Sequence, residues 1–178
     1  HDGTNDCDGH GTIVAGIIGA TPDTGDPEGF SGIAPDVSLL SIRQSSNKFH
    51  AIDEPGGTGV GDVATLAAAV RTAADLGATV INISTVACVP VDTVLADEAL
   101  GAALSYAVDV KNVVVVAAAG NVGGPGQCRD HNPRGAAGAE QVSTVASPAW
   151  YDDLVLTVGS VAADGTPSDF SLAGPWVD

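Results

Sequence analysis

Apolar residues gather into short blocks along this chain, separated by stretches rich in Gly, Asp and Pro, and the spacing inside the blocks alternates between helical and extended. The opening, His1 to Gly9, is polar and reads as a loop. Ile13 to Ile18 is a small apolar stretch expected to form a buried helix, although its Gly and β-branched residues are poor helix formers. After a loop from Thr21 to Gly29, the run Val37 to Ile42 predicts a short buried strand, and Gln44 to Gly61 a long loop. Asp62 is placed to cap a helix over Val63 to Leu76, with Gly77 as its stop. Thr79 to Ile83 is the next strand. A helix opened by Asp92 or Thr93 should run to about Val108.

Val113 to Ala118 is continuously apolar, which predicts a strand buried on both faces. Residues 120 to 148 read as loop-rich, Val155 to Val161 as a strand, and Ser168 to Val177 as a further one. Strands alternating with helices predict an α/β fold, a three-layer parallel sheet covered on both sides, in a single domain over 1–178. No internal repeat or low-complexity linker interrupts it.

Composition narrows the function classes. The chain has 178 residues, enough for one buried core, and 44% of them are apolar, which argues against disorder. With 22 acidic against 6 basic residues the formal charge is −16, so phosphate backbones and anionic lipid are repelled and nucleic acid is not expected as a partner. Cys7, Cys88 and Cys128 form no C-x-x-C pair, which argues against structural zinc. Asp2, Asp6 and Asp8 suggest calcium, but an EF-hand turn at Gly9 needs ligands at Thr4, Asp6 and Asp8 and a Glu where Ala15 stands, so that reading fails. No metal or cofactor is assigned. No segment is apolar for long enough to cross a bilayer, and nothing resembles a signal peptide, although the chain begins at His1 rather than at Met.

Two residues carry candidate chemistry. His10 sits between Asp8-Gly9 and Gly11-Thr12 at the mouth of the first helix, where small neighbours let other groups approach the imidazole. An imidazole, whose unperturbed pKa lies near neutrality, suits a general base. Asn121 follows Ala117-Ala118-Ala119-Gly120 at the carboxyl end of a buried strand, where open α/β sheets gather ligands. Its amide can donate to a developing oxyanion. Taken singly, a histidine is more often an ordinary surface or core residue, and an asparagine there can simply shape a turn.

Four blocks in order change that balance. His10-Gly11-Thr12-x-Val14-Ala15-Gly16, Gly32-Ile33-Ala34-Pro35, Val80-Ile81-Asn82-Ile83-Ser84 and Ala117-Ala118-Ala119-Gly120-Asn121 resemble the subtilisin-like serine proteases. Asp6-Cys7-Asp8-Gly9-His10, Leu40-Ser41-Ile42-Arg43-Gln44-Ser45, Leu156-Thr157-Val158-Gly159-Ser160-Val161 and Phe170-Ser171-Leu172-Ala173-Gly174-Pro175-Trp176-Val177 are similar to the mycosins, the subtilases that accompany type VII secretion. The resemblance implies a subtilisin-like sheet, an endopeptidase acting on protein or peptide substrates, and a place in the cell envelope outside the cytoplasm. It also implies association with the secretion membrane complex and an anchor in segments that this chain does not contain.

Roles follow from the same resemblance. His10 would be the general base and Asn121 an oxyanion donor. Gly59-Val60-Gly61 would pair with substrate as an edge strand, Ser84-Thr85-Val86 would form the opposite wall, and Ala118 and Gly120 would line the site. Thr85-Val86 stands where many subtilases carry Gly, which puts the preferred substrate residue in doubt, and Ile13 replaces a second His. The strand with the triad Asp and the Gly-Thr-Ser segment with the nucleophile are both missing, so the fold is expected to be incomplete at both ends. The chain by itself is then expected to be inactive and poorly soluble. Asp2, Asp6 and Asp8 lie too close to His10 in sequence to be promoted to the triad role.

The resemblance implies a Cys88–Cys128 disulfide, with Cys7 paired to a cysteine outside the chain and an oxidising compartment around both. His50 and His131 are expected in solvated loops. Two rival readings remain: an inert scaffold of the same fold, and a nucleotide-binding domain suggested by Gly57-Thr58-Gly59-Val60-Gly61. The latter lacks the G-x-G-x-x-G spacing and a preceding strand.

Overall fold

Capping and small side chains set the longest helix. In the computed structural model, which describes residues 6, 8–22, 25, 29–46, 48–49, 60–124, 127–133 and 141–177, two compact units divide the chain at residues 60 and 61. Within 61–178, α2 (Val63–Asp75) opens with a reciprocal cap. Thr65 N–H donates to Asp62 Oδ1 at 2.7 Å, and Asp62 N–H donates back to Thr65 Oγ1 at 2.9 Å. The helix stops before Gly77, whose φ of +87° only glycine adopts freely. Its buried stripe, Ala67, Val70, Ala73 and Ala74, packs against α3 (Glu98–Ser105), and alanines let the two helices approach closely.

A wider, π-helical turn (Tyr106–Val110) continues α3. It turns Tyr106 onto the end of α2, where the phenol donates to Asp75 Oδ1 at 2.6 Å. Arg71 Nε donates to Asp75 Oδ2 at 2.8 Å and its guanidinium lies 3.8 Å from the Tyr106 ring centre, while Lys111 Nζ sits 3.1 Å from Oδ1. The Tyr106 hydroxyl first, then Arg71 and Lys111, hold the Asp75 carboxyl well below the usual carboxylate range.

Three parallel strands lie beneath these helices in the order β1 (Val80–Ile83), β3 (Val114–Ala118), β5 (Leu156–Val158), with Val80 opposite Val114 and Val116 opposite Leu156. Ile81, Ile83, Val115 and Ala117 point into the core with Leu100 and Leu104, which are fully buried. The neighbouring positions Val80, Val114, Leu156 and Val158 are exposed, each about half. The expectation of burial on both faces for Val113 to Ala118 is therefore corrected. The run is apolar throughout; within 61–178, α2, α3 and the π turn cover one face of β3, while on the other Val114 is about half exposed and Val116 and Ala118 are half-buried.

A second, two-stranded sheet pairs β2 (Ala87–Pro90) antiparallel with β4 (Thr144–Ser147), and Ala87 faces Ser147. β4 falls where the sequence predicts a loop, because four residues between Ser143 and Pro148 carry too little period to betray a strand. Val122, Cys128, Val145, Ala146, Leu172 and Trp176 form a separate small core under this sheet. Two further boundaries differ from expectation. α3 begins at Glu98 rather than at Asp92 or Thr93, which lie in a turn. Ser168 to Val177 forms one isolated bridge, Ser171 with Asn121, and turns instead of a strand.

Within residues 1–60, α1 (His10–Gly19) is longer than the expected Ile13 to Ile18 and buries none of its residues; Ile13 is 64% exposed. Val37 to Ile42 is not a strand among the described residues, because an extended run becomes a strand only when a neighbour takes its hydrogen bonds. Ser46 and Val60 pair as an antiparallel bridge, and residues 50–59 of the expected long loop lie outside the described residues.

Candidate active site

The turn that delivers His10 is built around one carboxylate. Asp6 Oδ1 accepts the N–H groups of Asp8 and Gly9, both at 2.9 Å. Its Oδ2 accepts Thr12 N–H at 2.8 Å and Thr12 Oγ1–H at 2.7 Å. Gly9, at φ +85°, occupies the cap position of α1 but has no side chain to cap with, and Asp6 supplies the missing acceptor from three residues upstream. The Thr12 hydroxyl first, then the Gly9 and Thr12 N–H groups, push the Asp6 carboxyl far below the usual carboxylate range. Lys48 Nζ closes the outside of the turn by donating to the Asp8 carbonyl. His10 is thereby the first residue of α1, exposed at its head.

The far end of α1 is clamped by the Gly32-Ile33-Ala34 block. Gly32 N–H donates to Ala20 O at 2.9 Å, Ile33 N–H to Ile17 O at 3.0 Å and Ala34 N–H to Ile18 O at 2.8 Å, which satisfies carbonyls that a helix end leaves open. A Cβ on Gly32 would fall on Ala20 N and 2.7 Å from Gly19 N, so only glycine fits.

In residues 61–178, Asn121 stands just past the carboxyl end of β3. The backbone there is pinned on both sides: Ala119 N–H donates to Val158 O at 3.0 Å, Leu172 N–H to Gly120 O at 2.9 Å, and Cys128 N–H to Asn121 O at 2.8 Å. Gly120, at φ +105°, is buried, and a Cβ on it would meet Cys128 Sγ at 3.1 Å and Val86 Cγ2 at 3.3 Å. The structure thus brings Val86, Gly120, Asn121 and Cys128 together. Asn82 Nδ2 donates to Ser84 Oγ at 2.8 Å, Thr85 is exposed, and Ala118 is half-buried in β3. Cys88 and Cys128 are joined by a disulfide with Cα atoms 5.3 Å apart.

His10 and Val60 belong to the 1–60 unit and Asn121 to the other, and each is described within its own unit. Gly61, at φ +102°, precedes α2; Gly59, Cys7 and His50 lie outside the described residues, and His131 is exposed. Among the described residues no cluster of three His, Cys, Asp or Glu stands ready for a metal, and no helix is long and apolar enough to cross a membrane.

Three polar residues escaped the sequence reading. Asp6 is the first, since its closeness to His10 in a polar stretch gives no sign of its four donors. Asp97 is 4% exposed, and its Oδ2 accepts Ser147 Oγ–H at 2.7 Å and Trp150 Nε1–H at 2.9 Å. Asn132 is 3% exposed; its amide donates to Thr144 O at 2.8 Å and Ala173 O at 2.7 Å, and its oxygen accepts from the Ser143 and Thr144 N–H groups. Asp97 fixes the end of β4 to the start of α3, and Asn132 ties the beginning of β4 to the closing segment. The one signal available for Asp97 was its place just before an Ala/Leu helix, shared by the competing Asp92.

Residues 1–178 match the model of the subtilase family, peptidase S8. The chain belongs to the subtilase family. It is 64% identical over 177 residues to mycosin-4 of Mycobacterium tuberculosis, a stretch covering 99% of this chain and 38% of that protein. To mycosin-1 of Mycolicibacterium smegmatis it is 47% identical, covering 99% of this chain and 41% of that protein. Among solved structures, MycP1 with its N-terminal propeptide removed matches with a TM-score of 0.82 at 48% identity, over 97% of this chain and 51% of that one. An intact ESX-5 inner membrane complex contains a chain matching with a TM-score of 0.86 at 42% identity, over 100% of this chain and 46% of that one. The chain thus spans between 38% and 51% of the length of these subtilase relatives.

Proposed function

We propose that this chain is the central part of a mycosin-like serine endopeptidase that hydrolyses peptide bonds of protein substrates through an Asp-His-Ser triad. His10 is the general base, which takes the nucleophile's proton and returns it to the leaving amine. Asn121 donates to the oxyanion of the tetrahedral intermediate. The triad Asp and Ser come from segments flanking this chain. Gly59-Val60-Gly61 takes substrate as an edge strand, and Ser84-Thr85-Val86, Ala118 and Gly120 are further substrate-binding residues.

The observation that carries this reading is the family match across 1–178, with His10 at the head of α1 and Asn121 at the end of β3. Both positions suit chemistry: a helix mouth made of small residues, and a strand terminus with rigidly held backbone. The likeness to chains of the ESX-5 inner membrane complex and of its periplasmic assembly supports a site of action outside the cytoplasm, at a type VII secretion complex. Membrane anchoring then resides in the flanking segments.

The test is peptide hydrolysis by the full-length protein with His10→Ala and Asn121→Ala. In subtilisin, a relative, losing the base removes about 10⁶ in turnover, and losing the oxyanion Asn about 10²–10³. Similar losses here support the proposal. Wild-type activity in His10→Ala overturns it, and a wild-type protein that cleaves nothing while still assembling with the secretion complex puts the scaffold reading in its place.

A further inference from the structure

We propose that Asp6 is the positioning residue for the general base, setting the place of the His10 imidazole through the backbone rather than touching it; this rests on the protease reading above. An ionised carboxylate offers about four acceptor sites, and those of Asp6 receive four donors within one turn. These are Asp8 N–H, Gly9 N–H, Thr12 N–H and Thr12 Oγ1–H, at 2.7–2.9 Å. A carboxylate so filled has no lone pair left to orient an imidazole. That separates its role from that of a triad Asp.

The four donors bracket His10. Gly9 N–H lies one residue before it and Thr12 N–H two residues after, so one rigid group fixes the chain on both sides of the histidine. Gly9, at the cap position of α1, makes no side-chain cap of its own. The Gly9 φ of +85° bends the chain so that donors from residues 8, 9 and 12 converge on the Asp6 carboxylate. Lys48 adds a restraint from outside through the Asp8 carbonyl. Asparagine cannot replace Asp6. Its single oxygen can serve either Asp8 and Gly9 or Thr12, and its NH₂ would face the remaining donors.

A displacement of about 1 Å in a catalytic group costs on the order of 10²-fold in rate. In the full-length protein, Asp6→Asn should therefore lower kcat by about 10- to 100-fold while KM stays near the wild-type value. The acidic limb of the kcat/KM pH profile should keep its midpoint, because Asp6 is not the imidazole's partner. Thr12→Val, which deletes one of the four donors, should give a smaller fall in kcat with native melting. Unchanged kcat in Asp6→Asn overturns the proposal, as does a displaced acidic limb, which would make Asp6 a direct partner of His10. If Asp6→Asn does not fold, Thr12→Val decides, with wild-type kcat counting against the proposal and a partial loss for it. His10→Ala is run alongside. Activity in that variant removes the protease reading itself, whereas its inactivity together with full activity in Asp6→Asn removes only the positioning role.

Discussion

Asp97→Ala strips the acceptor from two donors that have nowhere else to turn. Ser147 is 1% exposed and its hydroxyl points at Asp97 Oδ2, as does the Trp150 indole N–H. A buried donor left without a partner costs about 1–3 kcal/mol, so the pair, with Trp150 only partly buried, costs at most about 2–6 kcal/mol. Against this stands the relief of no longer burying a carboxylate that, among the described residues, has no cationic partner. Asp97→Asn isolates the charge. Both donors converge on the same oxygen, so an Asn oxygen in that place keeps both bonds and forfeits only the charge assistance, a loss of about 1 kcal/mol. Urea unfolding of the full-length protein, followed by Trp fluorescence, should therefore rank wild type above Asn and Asn well above Ala. An Ala variant as stable as the Asn variant refutes the reasoning, since it would mean that the two donors are satisfied elsewhere.

Reducing the Cys88–Cys128 bond, or replacing both residues by Ser, releases a 40-residue separation; chain entropy sets the loss at about 4 kcal/mol, read as a lower Tm in dithiothreitol. Gly32→Ala drives a methyl into the Gly19 and Ala20 backbone and should destabilise the 1–60 unit by about 1–3 kcal/mol, seen as faster amide exchange at Ile33 and Ala34. Burial first, and the nearby Asp97 charge second, push the Tyr151 hydroxyl up to about 12. The folded state thus holds its proton more tightly than the unfolded chain. The stability from this group is fully present below about pH 10 and is lost as the pH rises towards 12. A tyrosinate absorbance step near 12 that vanishes in Tyr151→Phe checks it, and a Tyr151 step at the ordinary tyrosine value contradicts it.

What could be read from the chain was whatever its neighbours in sequence decide. Asp62, Thr65 and Gly77 sit within reach of the backbone they serve, so α2 was legible from cap to stop. β1, β3 and β5 were legible as apolar runs between turns. Features settled by distant partners were not. β4 exists because β2 takes its hydrogen bonds, and α3 starts after Asp97 rather than Asp92 because Ser147 and Trp150 hold Asp97 there. The head of α1 shows the same division. Its histidine is marked by flanking small residues, whereas in sequence Asp6 is one more charge in an acidic loop and only the fold gathers its four donors.

The pairing of Ala87 with Ser147 also orders events during synthesis. α2, β1, α3 and β3 are complete once residue 118 has emerged, and their contacts are near neighbours in the chain, which favours early folding. β2 emerges among them yet has no partner until β4 arrives, on the order of a few seconds later at ordinary translation rates. Through that interval the strand following Ser84–Val86 carries an unpaired edge, the kind of surface that recruits other nascent chains. The strand that follows Ser84–Val86 thus waits for its partner after β1, α3 and β3 are already complete, and its edge needs protection in the meantime.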